Sequence, residues 1–152
     1  MKSLRYPLLI AACLASSIWT NAAIAQEQEA QPALATTTLQ IGTHTIKAEV
    51  ASSKETRQLG LMYRQKLADD SGMLFVFKQK SVHCFWMRNT LIPLSIAFLA
   101  DDGTIINIED MQPQMDAHHC AQAPVRYALE VPQGWFTKKE VQVGAKISGL
   151  PE

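Results

Sequence analysis

The sequence predicts a single, mainly β domain, either a sandwich or a partly closed barrel, with one short helix near its N-terminal side. Three observations support this fold class. Short apolar segments alternate with polar residues through most of 39–148, which is typical of half-buried strands. Turn sequences such as Asp101-Asp102-Gly103 separate these segments closely. Helical periodicity does not recur between successive strands, as parallel βαβ units would require.

Eight segments are predicted as strands, because their apolar residues alternate with polar ones or form short β-branched and aromatic runs. In chain order they are 39–41, 46–50, 73–77, 82–87, 94–99, 104–109, 125–131 and 145–148. Gly42-Thr43 separates the first two and predicts a hairpin. Asp101-Asp102-Gly103 predicts a second hairpin, since Asp-Gly tolerates the positive φ of a tight turn.

One helix and two less regular regions complete the domain. Ser52 and Glu55 have the spacing of a capping box, and helix-compatible residues continue to about Tyr63. Residues 111–124 predict a long irregular loop, and residues 134–140 predict a single helical turn.

The N-terminus has the features of a secretory signal peptide over residues 1–25. Lys2 and Arg5 form a positive region, an apolar stretch follows, and Ala23-Ile24-Ala25 is a small-x-small cleavage site. The apolar stretch is too short for a stable membrane span. We therefore expect a soluble protein exported to the periplasm or the extracellular space. The alternative is a lipoprotein, because the residues up to Cys13 resemble a lipobox.

The mature chain is expected to contain a disordered tether, 26–36, and one domain, 37–152. The tether is rich in Gln, Glu, Ala and Pro. The whole chain has 14 basic and 14 acidic residues, so no basic surface is expected for nucleic acid. A small molecule, a glycan or another protein remains as the expected partner, and the sequence does not indicate the oligomeric state.

Two cysteines remain after export, and in an oxidising compartment Cys84 and Cys120 are predicted to form a disulfide. The alternative is a soft-metal site for copper. Its candidate ligands are His83, Cys84, Met87, Met111, Met115, His118, His119 and Cys120. Oxidation of the cysteines would remove the softest of these ligands, so we predict neither a metal nor a cofactor.

Four ordered segments resemble the DUF192 family of small, often exported bacterial and archaeal domains of unknown function. They are 58–64 (QLGLMYR), 72–77 (GMLFVF), 85–94 (FWMRNTLIPL) and 127–131 (YALEV). The resemblance covers about 39–148 and implies a compact, β-sandwich-like domain without indicating an activity. Many relatives have an acidic residue where this chain has Ser95, so a site that relied on that carboxylate would be weakened or absent here.

The run from Phe85 to Thr90 changes from aromatic to polar before an X-Pro step, which is typical of a strand that ends at a ligand-binding rim. Trp offers a stacking face and Arg an anion-binding fork. The predicted ligand-binding residues are Arg64, Trp86, Arg88, Asn89, Thr90 and Glu130. The alternative is structural, with Phe85 in the core and an ion pair from Arg64 or Arg88 to Glu130.

Catalysis has weaker support. The candidate acids and bases are Asp101, Asp102, Asp110, Asp116 and Glu130, and no Ser or Cys lies in a nucleophile motif. The sequence therefore predicts a small exported, non-catalytic binding or accessory module. Copper binding and an enzyme of unrecognised type are the alternatives.

Overall fold

A curled sheet of seven strands dominates the computed structural model, which describes residues 29–151. The elements of this range are β1 (Thr36–Ile41), β2 (His44–Ala51), α1 (Lys54–Leu59), β3 (Ser71–Ser81), β4 (Cys84–Phe85), β5 (Leu94–Leu99), β6 (Ile105–Met111), β7 (His119–Cys120), β8 (Val125–Pro132), α2 (Trp135–Lys138) and β9 (Ile147–Ser148). The strand order is β6-β5-β8-β3-β2-β1-β9, and β4 and β7 form a separate two-stranded sheet. Neighbouring strands are antiparallel, except that β2 and β3 are parallel.

The two ends of the long sheet approach each other, so the sheet forms a half-barrel. Thr104, just before β6, forms a bridge with Lys146, just before β9. Beside it, the Ile147 N–H donates to the Gly103 carbonyl at 2.9 Å. The prediction of a mainly β fold is therefore confirmed, in its partly closed barrel form. Within 29–151, neither helix is long and apolar enough to cross a membrane.

Alternation along the strands gives the sheet two apolar faces. On the central strand β8, Leu129 and Val131 belong to the cluster inside the half-barrel, together with Trp135 from α2. Ala128 has the opposite parity and belongs to a second cluster on the outer face. Connecting segments cover this outer face, for example through Met87, and Phe85 of the small β4–β7 sheet packs against the same cluster.

Both predicted hairpins are present. β1 pairs with β2 across Gly42-Thr43, and β5 pairs with β6 across Asp101-Asp102-Gly103. Gly103 has φ +85°. A Cβ atom at this position would lie 2.0 Å from the Ile147 carbonyl oxygen, so both the turn and the closure of the half-barrel require glycine.

The capping box of α1 lies one residue later than Ser52 and Glu55, where the sequence predicts it. The Ser53 hydroxyl accepts a hydrogen bond from the Thr56 N–H at 3.1 Å, and the Thr56 hydroxyl accepts one from the Ser53 N–H at 3.1 Å. Ser52 and Ser53 are adjacent, and Thr at the third helical position replaces the Glu of the usual pattern.

Several predicted elements are shorter in the structure, among them the last strand, 145–148, which is only Ile147–Ser148. The helix ends at Leu59 rather than near Tyr63, because Gly60 has φ +49° and ψ −132°, outside the helical region. The predicted strand 82–87 is reduced to β4, because its partner β7 is itself only two residues long. The predicted turn at 134–140 is present as α2.

The N-terminal predictions are only partly covered by the structure. The signal peptide, 1–25, and its lipoprotein alternative lie outside the described residues. The predicted tether, 26–36, overlaps the described range, and part of it contacts the domain. The Gln31 side chain is 8% exposed and donates to the Gly60 carbonyl at 2.7 Å. Gln31 therefore packs against the domain.

Candidate functional site

A cleft of about 560 Å³ opens on the outer face of the sheet, between α1 and the β4–β7 pair. We call it the aromatic cleft. The chain from α1 onward contributes Lys54, Arg57, Gln58, Leu59, Gly60, Leu61 and Met62; the aromatic wall is Phe75, Phe77, Phe85 and Trp86; and the remaining lining is His83, Cys84, Thr90, His118 and Glu130. The lining is therefore mostly apolar, with a few polar groups that could orient a ligand.

Glu130 forms part of the floor of the aromatic cleft. It lies on β8, in the middle of the sheet, opposite Met73 of β3 and Ile96 of β5. Both neighbours are fully buried, and Glu130 itself is only 5% exposed. Its carboxyl group has no hydrogen-bond or ion-pair partner among the described residues. A polar group in such surroundings is costly unless it finds a partner.

Burial raises the pKa of the Glu130 carboxyl group to about 8. Removal from water disfavours the charged form of a carboxyl group, and no nearby charge contributes to the shift. At neutral pH the group is therefore mostly protonated in the empty cleft. A buried acid with a strongly raised pKa, inside a cleft, is typical of a functional site.

The aromatic wall of the cleft is held by ring contacts. Phe85 meets Phe75 edge to face, with ring centroids 4.9 Å apart, and Phe98 behind it at 5.8 Å. Phe77 stacks on His83, with centroids 3.5 Å apart. Aromatic pairs at these separations are favourable beyond their buried area, so the wall is formed before any ligand arrives.

His83 is a second polar residue of the cleft without a full set of partners. Its Nε2 atom is buried and has no hydrogen-bond partner among the described residues. Burial lowers the pKa of the imidazole, and a hydrogen bond to the Gln79 backbone opposes that shift. The ring is therefore neutral at pH 7. Because Nε2 has no partner, we assign the bond to the Gln79 backbone to Nδ1–H, which leaves Nε2 as the acceptor.

Two cations of α1 stand at the mouth of the cleft. Arg57 lies over the Phe77 ring at 5.2 Å and donates to the carbonyls of Ser52 and Val76. Lys54 is exposed. Within residues 29–151, neither cation forms a salt bridge, so the mouth is positively charged while the floor holds an acid.

The predicted Cys84–Cys120 disulfide is confirmed, with an S–S distance of 2.08 Å. The two cysteines are directly opposite each other in the β4–β7 pair, so the bond fixes the strand that presents Phe85 and Trp86. It also removes both sulfurs from the candidate copper ligands. The described residues contain no group of three or more His, Cys, Asp or Glu that could hold a metal ion.

Three of the six predicted site residues line the aromatic cleft: Trp86, Thr90 and Glu130. Trp86 is 44% exposed, whereas Thr90 is 5% exposed. The structure thus brings the polar end of the 85–90 run together with the middle of β8, although the two are far apart in the sequence.

The other three predicted residues lie outside the cleft lining. Arg64 donates to Glu49 at 2.9 Å, and Arg88 donates to Asp116 at 2.9 Å. The suggested ion pair from either arginine to Glu130 is therefore wrong, because each guanidinium is paired with a different carboxylate. Asn89 has φ +62°, and its carbonyl accepts from the Tyr63 N–H at 2.9 Å.

Ser95, the position that departs from many relatives, does not line the cleft. Its hydroxyl donates to Asp110 and accepts from the Gly134 N–H at 2.8 Å. Ser95 has the opposite parity to Ile96 on β5. The serine at position 95 therefore does not change the lining of the aromatic cleft.

The sequence analysis did not predict the α1 side of the cleft, and it considered His83 only as a candidate ligand in the copper alternative. Phe75 and Phe77 have the period of two that puts residues on one face of a strand, and this pattern could have predicted an aromatic surface. Lys54 and Arg57 have the spacing of neighbours on one helix face. No local pattern indicates that the two surfaces face each other.

Comparisons with known proteins agree with the fold. The model of the DUF192 family, described as "Uncharacterized ACR", matches residues 36–149. The chain is similar to a candidate transcription regulator from Sinorhizobium meliloti 1021, with 34% identity and a TM-score of 0.75, over 78% of this chain and 97% of that one. It is also similar to a protein of unknown function from Novosphingobium aromaticivorans DSM 12444, with 31% identity and a TM-score of 0.70, over 76% of this chain and 84% of that one. No curated protein matches the chain.

Proposed function

Because the chain belongs to the DUF192 family, for which no activity is described, we propose from its own geometry that it is a non-catalytic binding module. Its ligand site is the aromatic cleft, and its ligand is a small organic molecule, or a side chain of a partner, with an apolar body and one polar group. The polar group meets Glu130 at the floor.

The observation that supports this proposal is the partnerless carboxyl group of Glu130 in a cleft whose wall is already formed. An unpaired buried polar group costs about 1–3 kcal/mol. Replacing Glu130 by an apolar residue would relieve this cost, whereas a ligand that supplies the partner would offset it. The carboxyl group lies at the floor of an open cleft rather than in a closed core. This position favours the explanation that a ligand supplies the missing partner.

The lining favours binding over catalysis. Of its described hydroxyl and thiol side chains, Thr90 is 5% exposed and donates its N–H to the Met87 carbonyl, and Cys84 is in the disulfide. Neither is an activated nucleophile, which would need an adjacent base. Equal numbers of basic and acidic residues give no reason to extend the description of the Sinorhizobium relative to this chain.

Export is part of the proposal. The leader-like residues 1–25 and the disulfide both support a location in the periplasm or outside the cell. The module would then act on a molecule or a protein of that compartment.

The test is a fragment screen by NMR with the oxidised protein. The indole N–H of Trp86 reports on the cleft, and the indole N–H of Trp135, which is 3% exposed and inside the half-barrel, is the control in the same spectrum. We expect the bound fragments to shift the Trp86 signal and leave the Trp135 signal in place. If fragments bind elsewhere, or if none of a general library shifts Trp86, the proposal is wrong.

A further inference from the structure

We propose that the group which the aromatic cleft receives at Glu130 is an organic cation, such as a primary ammonium or an amidinium, on an apolar body. This inference rests on the proposed function and names its class of ligand. It follows from the Glu130 carboxyl group, which the cleft leaves without a partner, and from the charges around it.

The Glu130 carboxyl group lacks a partner of opposite charge. No described side chain forms a hydrogen bond or an ion pair with its carboxyl group, and no charge contributes to its raised pKa. Arg57 and Lys54 line the same cleft, but neither forms a salt bridge with the carboxyl group and neither contributes to its raised pKa. A cation that entered with a ligand would therefore meet an acid that no protein cation already neutralises.

The hydrogen-bonding capacity of the ionised carboxyl group also favours a cation. Ionised, Glu130 only accepts hydrogen bonds. Ammonium and amidinium groups have several donors and no acceptor. A cation therefore satisfies the ionised carboxylate, whereas a ligand carboxylate could bind only while Glu130 keeps its proton, and its binding would weaken as the pH rises.

The cations at the mouth of the cleft are more exposed than Glu130. Lys54 is exposed and Arg57 is half-buried, so water and salt screen their fields. Glu130 is 5% exposed, and charge pairs in such surroundings are much stronger than pairs in water. Once ionised, Glu130 therefore attracts a ligand cation more strongly than the screened charges at the mouth repel it.

Binding of a cation at Glu130 should release a proton. A cation that pairs with Glu130 stabilises its charged form and lowers its pKa. Since this pKa is about 8 in the empty cleft, binding at pH 7 should release nearly one proton. The apparent affinity should rise about tenfold between pH 6 and pH 7 and level off above pH 8.

Three probes with the same body test this inference: 3-phenylpropylamine, 3-phenylpropan-1-ol and 3-phenylpropanoate. Each is titrated into the oxidised protein at pH 7, and the Trp86 indole signal is followed. We expect the amine to bind at least tenfold more tightly than the alcohol and the carboxylate. Glu130→Gln should remove this preference. Glu140→Gln, which removes an exposed carboxylate outside the cleft, should keep it.

The outcomes separate the inference from the proposed function. If the alcohol or the carboxylate binds as tightly as the amine, or if amine affinity does not change from pH 6 to pH 8, the inference is wrong while the cleft remains a binding site. If none of the probes shifts Trp86 at millimolar concentration, both are wrong. The pH profile uses the unaltered protein, so it is available even where Glu130→Gln fails to fold. The profile of the uncharged alcohol is its control for the two histidines of the lining, His83 and His118.

Discussion

Glu130 of β8 lies directly opposite Met73 of β3, so an acid and a fully buried methionine are neighbours in the middle of the sheet. On its other side, β5 presents Ile96, which is also fully buried. The acid therefore occupies a position that the sheet would normally give to an apolar residue. The buried position of Glu130, and the elements that form the aromatic cleft, should therefore affect both stability and binding.

The stability of the protein should fall as the pH rises, because of Glu130. Its pKa is about 8 in the folded state against an ordinary value of 4.5, so the folded state binds the proton more strongly than the unfolded state. The contribution is fully present below about pH 4.5, is lost as the pH rises to 8, and amounts to a few kcal/mol. Urea unfolding of the oxidised protein at pH 5, 7 and 9 measures it.

Glu130→Gln should remove this part of the pH dependence and should make the protein more stable than the parent at pH 9. Glu140→Gln is the matched control and should retain the parental slope. The difference in slope between the two variants isolates the contribution of Glu130 from that of His83. The pKa of His83 is lowered in the folded state, so its contribution to stability increases as the pH rises from acidic values. An unchanged slope in Glu130→Gln would show that the carboxyl group is not desolvated.

Loss of the disulfide should destabilise the domain and loosen the cleft. Cys84 and Cys120 are 36 residues apart in the sequence, and a cross-link over such a loop contributes roughly 2–4 kcal/mol. The double variant Cys84→Ser, Cys120→Ser avoids an odd thiol and should unfold at correspondingly lower urea concentration. Thiol counting in denatured, unreduced protein should give no free thiol from this pair. Two reactive thiols in exported protein would contradict the account.

The Gly103 turn should tolerate no side chain. Gly103→Ala should cost more than the strain of a positive φ alone, because its Cβ would lie 2.0 Å from the Ile147 carbonyl oxygen. Gly144 has φ +89° and open space around its Cβ position, so Gly144→Ala should cost only the backbone strain of about 1–2 kcal/mol. Chemical denaturation compares the two. Equal losses would mean that the half-barrel is not closed at Gly103.

Asn89 should be structural rather than a ligand contact. Its φ of +62° is more readily adopted by Asn than by Ala, so Asn89→Ala should lower the free energy of unfolding by about 1 kcal/mol. Asn89→Gly should cost less, because glycine adopts this conformation freely. The Trp86 shifts caused by bound fragments should be the same in both variants. Loss of binding in the glycine variant would return Asn89 to the site.

The comparison of sequence with structure is clearest on β8. The alternation of 125–131 predicted a half-buried strand, and Leu129 and Val131 do face the core of the half-barrel. The same alternation places Glu130 on the opposite face, where a polar side chain would ordinarily meet water. It is buried instead, because 59–67 and 85–92 cover that face. No periodicity within β8 can indicate that cover.

The candidate site was predictable where local chemistry determines it. The change from aromatic to polar at Trp86 identified one wall of the cleft, and Thr90 at the end of the run lies in its lining. The partners of Arg64 and Arg88 were not predictable, because Glu49 and Asp116 come from segments that only the tertiary fold brings together.

The most direct test of the central claim is the pKa of Glu130 itself. A carbon-13 NMR titration of the glutamate carboxyl groups, assigned with Glu130→Gln, measures it in the oxidised protein with and without 3-phenylpropylamine. The account predicts a midpoint of about 8 in the free protein and a clear decrease when the amine is present. A midpoint near 4.5 in the free protein would show a hydrated or already paired carboxylate, and would contradict the proposal that the cleft holds an acid in need of a ligand.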